Sequence, residues 1–85
     1  MYKVELRRRV QDKLDSLPES DREMVMDALI SLEENPRPRG MEKIRGKELW
    51  RVRKGDYRVV YDIDDDAKIV TVVRIGHRKD VYHGL

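Results

Sequence analysis

Tyr2, Val4 and Leu6 alternate with Lys3 and Glu5, the period of a strand with one buried face, so a short strand opens the chain. After Arg7 the period lengthens. Val10, Leu14 and Leu17 recur at helical spacing, with Arg, Gln, Asp and Lys on the opposite side. Pro18 is placed to end this helix or to begin the next. Ser20 and Glu23 have the spacing of a capping box ahead of a second stripe, Val25, Ala28, Leu29 and Leu32, which Asn35-Pro36 stops. A helical hairpin is predicted. Residues 35–40, Asn-Pro-Arg-Pro-Arg-Gly, form a turn-rich connector. Beyond it the spacing gives only strands: a short one over Met41–Arg45, then Leu49–Lys54, Tyr57–Ile63 and Lys68–Ile75, with turns at Gly55-Asp56 and Asp64–Ala67. The expected fold class is α+β, with the N-terminal strand and helical hairpin packed on one face of a small twisted antiparallel sheet.

A chain of 85 residues has room for one core, so residues 1–85 are expected to form a single domain. Leu, Ile and Val together number 22, enough to fold but around a small core. A domain of this size buries only about 60% of the surface its unfolded chain exposes, which gives a stabilising partner a physical reason. The chain contains no cysteine, which excludes a disulfide framework, a thiolate nucleophile and cysteine-ligated metal. Met1 leads into the alternating strand rather than an apolar leader, and no apolar run is long enough to span a bilayer. A soluble cytoplasmic protein without a membrane partner is expected.

The net charge of +2 hides strong segregation. Residues 15–35 carry seven acids and one base, and residues 37–58 carry nine bases and three acids. Glu19, Asp21 and Glu23 favour the positive end of the second helix, which explains part of the acidic block. The basic block suits an anion, most simply nucleic-acid phosphate, although a solvated charged surface accounts for such a composition too.

Strand geometry places these bases. Side chains alternate across a strand, so if Trp50 and Val52 face the helices, Arg51 and Arg53 face away. Tyr57, Val59, Tyr61 and Ile63 share the helix-facing parity, which puts Arg58 beside Arg51 and Arg53 on a face that no helix covers. Like charges on adjacent strands repel, and this cost favours a face that is completed by an anion. The last segment, Arg74-Ile75-Gly76-His77-Arg78-Lys79-Asp80-Val81-Tyr82-His83, leaves a strand at a glycine and presents His, Arg and Tyr together. Cutting RNA through its own 2′-hydroxyl needs a base for that hydroxyl, cations on the phosphorane-like transition state and an acid for the departing 5′-oxygen, and needs neither metal nor cofactor. Arginine supplies the cations, and histidine or tyrosine the proton transfers. His77 and His83 are equally readable as surface histidines, Tyr82 as a packing residue and Gly76 as a turn.

Two runs, Leu49-Trp50-Arg51-Val52-Arg53-Lys54-Gly55-Asp56-Tyr57-Arg58-Val59-Val60-Tyr61 and Arg74-Ile75-Gly76-His77-Arg78-Lys79-Asp80-Val81-Tyr82, resemble the RelE family of toxin–antitoxin systems. Leu17-Pro18 and Asn35-Pro36 sit at that family's usual points, so the resemblance covers nearly the whole chain. It implies a RelE-like fold and a metal-independent mRNA interferase that binds the ribosomal A site, cuts the codon there and is held inactive by a cognate RelB-like antitoxin. Its partners would be ribosome, mRNA and antitoxin. Arg51, Arg53, Arg58, Arg78 and Tyr82 match the family's catalytic positions. Arg51 and Arg53 replace what are lysines in several members, which weakens any general-base role because arginine holds its proton. Arg58 and Arg78 become phosphate clamps, and Tyr82 a residue for base stacking or proton transfer. Lys43, Arg45, Lys47, Lys54, His77 and Lys79 are the candidate RNA contacts. Some relatives use a connector glutamate and a C-terminal histidine as base and acid, for which Glu42 and His83 are the counterparts, so the base is open among Glu42, His77, His83 and a strand position. ParE-like proteins, which share this fold, poison DNA gyrase without cutting RNA. They generally lack the closing tyrosine, which favours the interferase reading. An inactivated RNA-binding relative is the third alternative.

Overall fold

The computed structural model describes residues 1–85 except Arg78 and the side chains of Lys79 and Asp80. The chain runs β1 (Lys3–Leu6), α1 (Arg8–Ser16), α2 (Glu19–Glu34), β2 (Glu42–Lys43), β3 (Trp50–Lys54), β4 (Tyr57–Asp64) and β5 (Ile69–Gly76), then a 3₁₀ helix at Lys79–Tyr82. The five strands form one sheet in the order β1-β5-β4-β3-β2. Among the described residues no helix is long and apolar enough to cross a membrane.

Both helices follow the apolar stripes. Val10 and Leu14 of α1, Leu17 after it, and Val25, Ala28, Leu29 and Leu32 of α2 are buried against the sheet residues Tyr57, Val59, Tyr61, Val70, Val72 and Ile75. Pro18 serves both helices: the chain leaves α1 extended at Leu17, and the Pro18 carbonyl accepts from Arg22 N–H to start α2. The capping box expected of Ser20 and Glu23 does not form. Pro18 itself occupies the cap position, which puts Ser20 inside the first turn. At the other end Asn35 closes α2, and its Oδ1 accepts from Arg37 N–H at 3.0 Å.

The α+β class holds, with the helical hairpin on one face, but the sheet is mixed. β1 pairs parallel to β5, from Lys3 opposite Ile69 to Leu6 opposite Val72. Only strands joined by short turns are compelled to be antiparallel, and β1 reaches β5 through the rest of the chain. The remaining pairs are antiparallel. The strand expected over Met41–Arg45 shrinks to two residues because Ile44–Leu49 turns back on itself, with Ile44 N–H donating to the Leu49 carbonyl. In the β4–β5 turn Lys68 adopts φ 58°, so β5 begins one residue later than expected.

Two polar contacts fasten the connector between the layers. Tyr61, fully buried, donates its hydroxyl proton to the Pro36 carbonyl at 2.8 Å, and burial pushes that hydroxyl up to about 12. Arg37 makes a bidentate pair with Asp65 at 3.0 and 2.8 Å, and Tyr2 donates to the same carboxylate. The Arg37 and Tyr2 hydrogen bonds hold the Asp65 carboxyl down at about 2. One carboxylate thus joins the start of β1, the connector and the β4–β5 turn.

Candidate functional site

The register of the sheet turns the parity argument into neighbours. Arg53 lies directly opposite Arg58, and Arg58 lies opposite Gly76. One row along, Glu42, Arg51, Val60 and Arg74 are successive partners from β2 to β5. All of these positions have the parity opposite to the core residues Val59, Tyr61 and Ile75. Four arginines therefore share the face away from the helices. Arg53 is exposed, whereas Arg51, Arg58 and Arg74 are partly buried. Arg53 against Arg58 is a like-charge cross-strand pair, which is destabilising as it stands.

This face is not bare as the sequence suggested. A Cβ on Gly76 would come within 2.7 Å of Val81 Cγ2, so the 3₁₀ helix lies directly on β5 where glycine leaves room. Val81 is buried there. The packing brings the tail onto the arginines. Arg51 Nη1 donates to Tyr82 Oη at 2.6 Å, and its guanidinium carbon stands 5.3 Å from the Tyr82 ring centroid. Its other arm, Nη2, meets Glu42 Oε2 at 3.1 Å. The Tyr82 hydrogen bond, then that to Glu42, raises the Arg51 pKa above its ordinary value. A shallow pocket of about 290 Å³ opens beside this trio, lined by Lys43, Ile44, Arg45, Arg51 and Tyr82.

The two histidines meet the face through their backbones. Arg58 Nη1 donates to the His77 carbonyl at 3.5 Å, and Arg74 Nη2 to the His83 carbonyl at 3.3 Å. The exposed His77 ring instead packs edge-on to Tyr57 with centroids 5.1 Å apart, and approaches Asp56 at 4.0 Å. Among the described residues, Nε of Arg51 and Nε of Arg58 are buried without an acceptor. Such donors cost about 1–3 kcal/mol each when left unmade.

Of the residues singled out in the sequence, Arg51, Arg53, Arg58 and Tyr82 come together. Lys43 and Arg45 flank them at the pocket, with Lys43 also 3.5 Å from Glu48. Lys47 lies exposed in the turn before β3. Lys54 does not join the cluster: it pairs with Tyr57, on the helix-facing parity, and lines a groove beside α2. Arg78 and the side chain of Lys79 lie outside the described residues. Arg74 is the member that sequence reasoning left out, although alternation from the buried Ile75 marks it. A β-bulge between Val60 and Tyr61 shifts the β4–β5 register and makes Val73 an extra residue of β5.

The family model for the ParE toxin of type II toxin–antitoxin systems, parDE, matches residues 4–82. RelE1 of Methanocaldococcus jannaschii is 31% identical over 85 residues, covering 95% of this chain and 94% of that protein. The chain belongs to the RelE/ParE superfamily of type II toxins. Solved relatives agree with the placement. The RelE of the Pyrococcus horikoshii RelE–RelB complex superposes with a TM-score of 0.81 at 30% identity, covering 92% of this chain and 96% of that one. The isolated Escherichia coli RelE toxin gives 0.79 at 26% identity, covering 96% and 92%. The toxin described here thus shares with them its strand, its helical hairpin and its sheet.

Proposed function

We propose that this toxin is a metal-independent endoribonuclease that cuts mRNA at the ribosomal A-site codon through attack of the RNA's own 2′-hydroxyl. The reading is carried by the convergence of Arg51, Arg53 and Arg58 with Tyr82 on one sheet face. A phosphate passing into an in-line transition state gains negative charge on its equatorial oxygens, and planar guanidinium forks are matched to those oxygens. An anion between Arg53 and Arg58 also removes the repulsion of that pair.

The hydrogen-bond chemistry favours one choice of proton carriers. A guanidinium has only donors, so Tyr82 Oη accepts from Arg51 and keeps its own proton to give. That suits the acid that protonates the departing 5′-oxygen. Glu42, on the other arm of Arg51, is the carboxylate at hand to take the 2′-hydroxyl proton, whereas His77 and His83 reach the arginines through their carbonyls. Arg78 and Lys79 complete the phosphate contacts in this reading. Lys43, Arg45 and Lys47 extend them along the strand, and His77 borders them.

The partner that restrains such a toxin is a co-encoded RelB-like antitoxin, as in the Mycobacterium tuberculosis RelBE2 and Pyrococcus horikoshii RelE–RelB complexes. Apolar anchors would supply the affinity and acidic residues the encounter rate. The match to the ParE toxin family model favours a second reading, a gyrase poison that does not cut RNA. Primer extension on a message translated in vitro separates the two. Breaks inside A-site codons support the interferase, and gyrase-dependent DNA breaks with intact message support the second.

A further inference from the structure

We infer that Glu42 is an intramolecular stand-in for a phosphate group, occupying the Arg51 fork until an RNA backbone displaces it, and so lowers the toxin's affinity for RNA. The inference rests on the RNA reading of this face and adds to it a residue that sets affinity. Glu42 and Arg51 are register partners on the edge strand and its neighbour, so backbone pairing delivers the carboxylate to the guanidinium. Its Oε2 lies 3.1 Å from Arg51 Nη2, the distance and chemistry of a phosphate oxygen on arginine. Among the described residues, Arg51 is the one arginine of the cluster paired with a carboxylate; Arg53, Arg58 and Arg74 make no ion pair there.

The contact is built to open. The Glu42 side chain is 59% exposed while that of Arg51 is 28% exposed, so the acid can release the fork and stay beside the arriving strand, within reach of its 2′-hydroxyl, while Tyr82 still holds the guanidinium. β2 has only two residues and its far edge is unpaired. The pocket beside Arg51, lined also by Lys43, Ile44 and Arg45, gives the arriving strand a place next to the fork. Exposed ion pairs of this kind are worth little, so an arriving phosphate displaces the carboxylate at small cost.

Two measurable consequences follow from the exchange. Removing the acid should tighten RNA binding by about two- to fivefold, the range expected of an exposed pair. It should also steepen the salt dependence: in the wild type the displaced carboxylate takes up a cation as the phosphate releases one, and without it the slope of log K against log salt should grow by up to about 0.7 for a single strand. The probe is a short single-stranded RNA with 2′-O-methyl groups, which binds but cannot be cut, titrated at several salt concentrations against the full chain. Glu42→Gln and, as a second variant, Glu42→Ala should each tighten binding and steepen the slope. Glu34→Gln, which removes an equally negative charge from the exposed end of α2, should do neither. In an Arg51→Ala background, Glu42→Gln should change nothing. Gain of affinity in that background would overturn the proposal, because it would reduce Glu42 to general charge. Unchanged binding by both Glu42 variants, with Arg51→Ala weakened, overturns the proposal alone. If Arg51→Ala and Arg58→Ala bind as the wild type does, the RNA reading fails and the proposal with it.

Discussion

Arg58 carries the clearest expectation for a single side chain. It faces Arg53 across the ladder, keeps a buried Nε–H without an acceptor among the described residues and makes one long bond to a carbonyl, so the unliganded fold gains little from its charge. Arg58→Ala should leave the melting temperature unchanged or raised, while lowering the cleavage rate by about 10²–10³, the usual effect of removing one transition-state donor. A rate assay beside a thermal melt checks both halves. Asp65 is the opposite case, a side chain whose charge serves the fold. Its carboxyl is held at about 2 instead of 3.8, so its contribution is full above pH 4 and disappears as pH falls toward 2. Melts across that window should show Asp65→Asn starting less stable than the wild type at neutral pH, with the gap closing by pH 2. A constant gap would remove the Arg37 and Tyr2 contacts from the cause.

At the level of elements, the helices and the central hairpin were legible because each carries its own period: 3.6 in the stripes of α1 and α2, two in Trp50–Lys54 and Tyr57–Ile63. The same alternation located Arg51, Arg53 and Arg58 on one face without any contact information. What the period could not show was partner choice. β1 has the same pattern whether it pairs parallel or antiparallel, and its place beside β5 is decided by packing of the whole layer. The tail was illegible for a related reason. Four residues of 3₁₀ helix have no repeat to detect, and the signal for their docking is a glycine five positions earlier, Gly76, whose missing Cβ admits Val81. Gly76→Ala therefore should expel the 3₁₀ helix, destabilising the fold by about 1–3 kcal/mol through overpacking and breaking the Arg51 to Tyr82 bond. Truncation after Val81 should cost little stability, since it removes the half-buried Tyr82 and Leu85 and two exposed residues, and no fully buried one. Denaturant melts of the two variants distinguish Val81 as the anchor from Tyr82 as the working group. Equal loss of stability would make Tyr82 structural.

Across the whole molecule, the charge blocks separate by layer. The acids of residues 15–35 lie mostly on α2, and the arginines of β3 and β4 on the sheet face turned away from it. Such a dipolar particle approaches polyanions with one side forward, which raises encounter rates at low salt. In the function proposed above, this forward face cuts RNA at the ribosome with its own arginines and tyrosine. The most direct test is primer extension on a message translated in vitro with the wild type, Arg58→Ala and Tyr82→Phe. The wild type should yield breaks inside A-site codons in the presence of a metal chelator at a level that spares the ribosome; Arg58→Ala should abolish them and Tyr82→Phe should slow them. An intact message with the wild type, or equal cleavage by all three proteins, would rule out cleavage by this face.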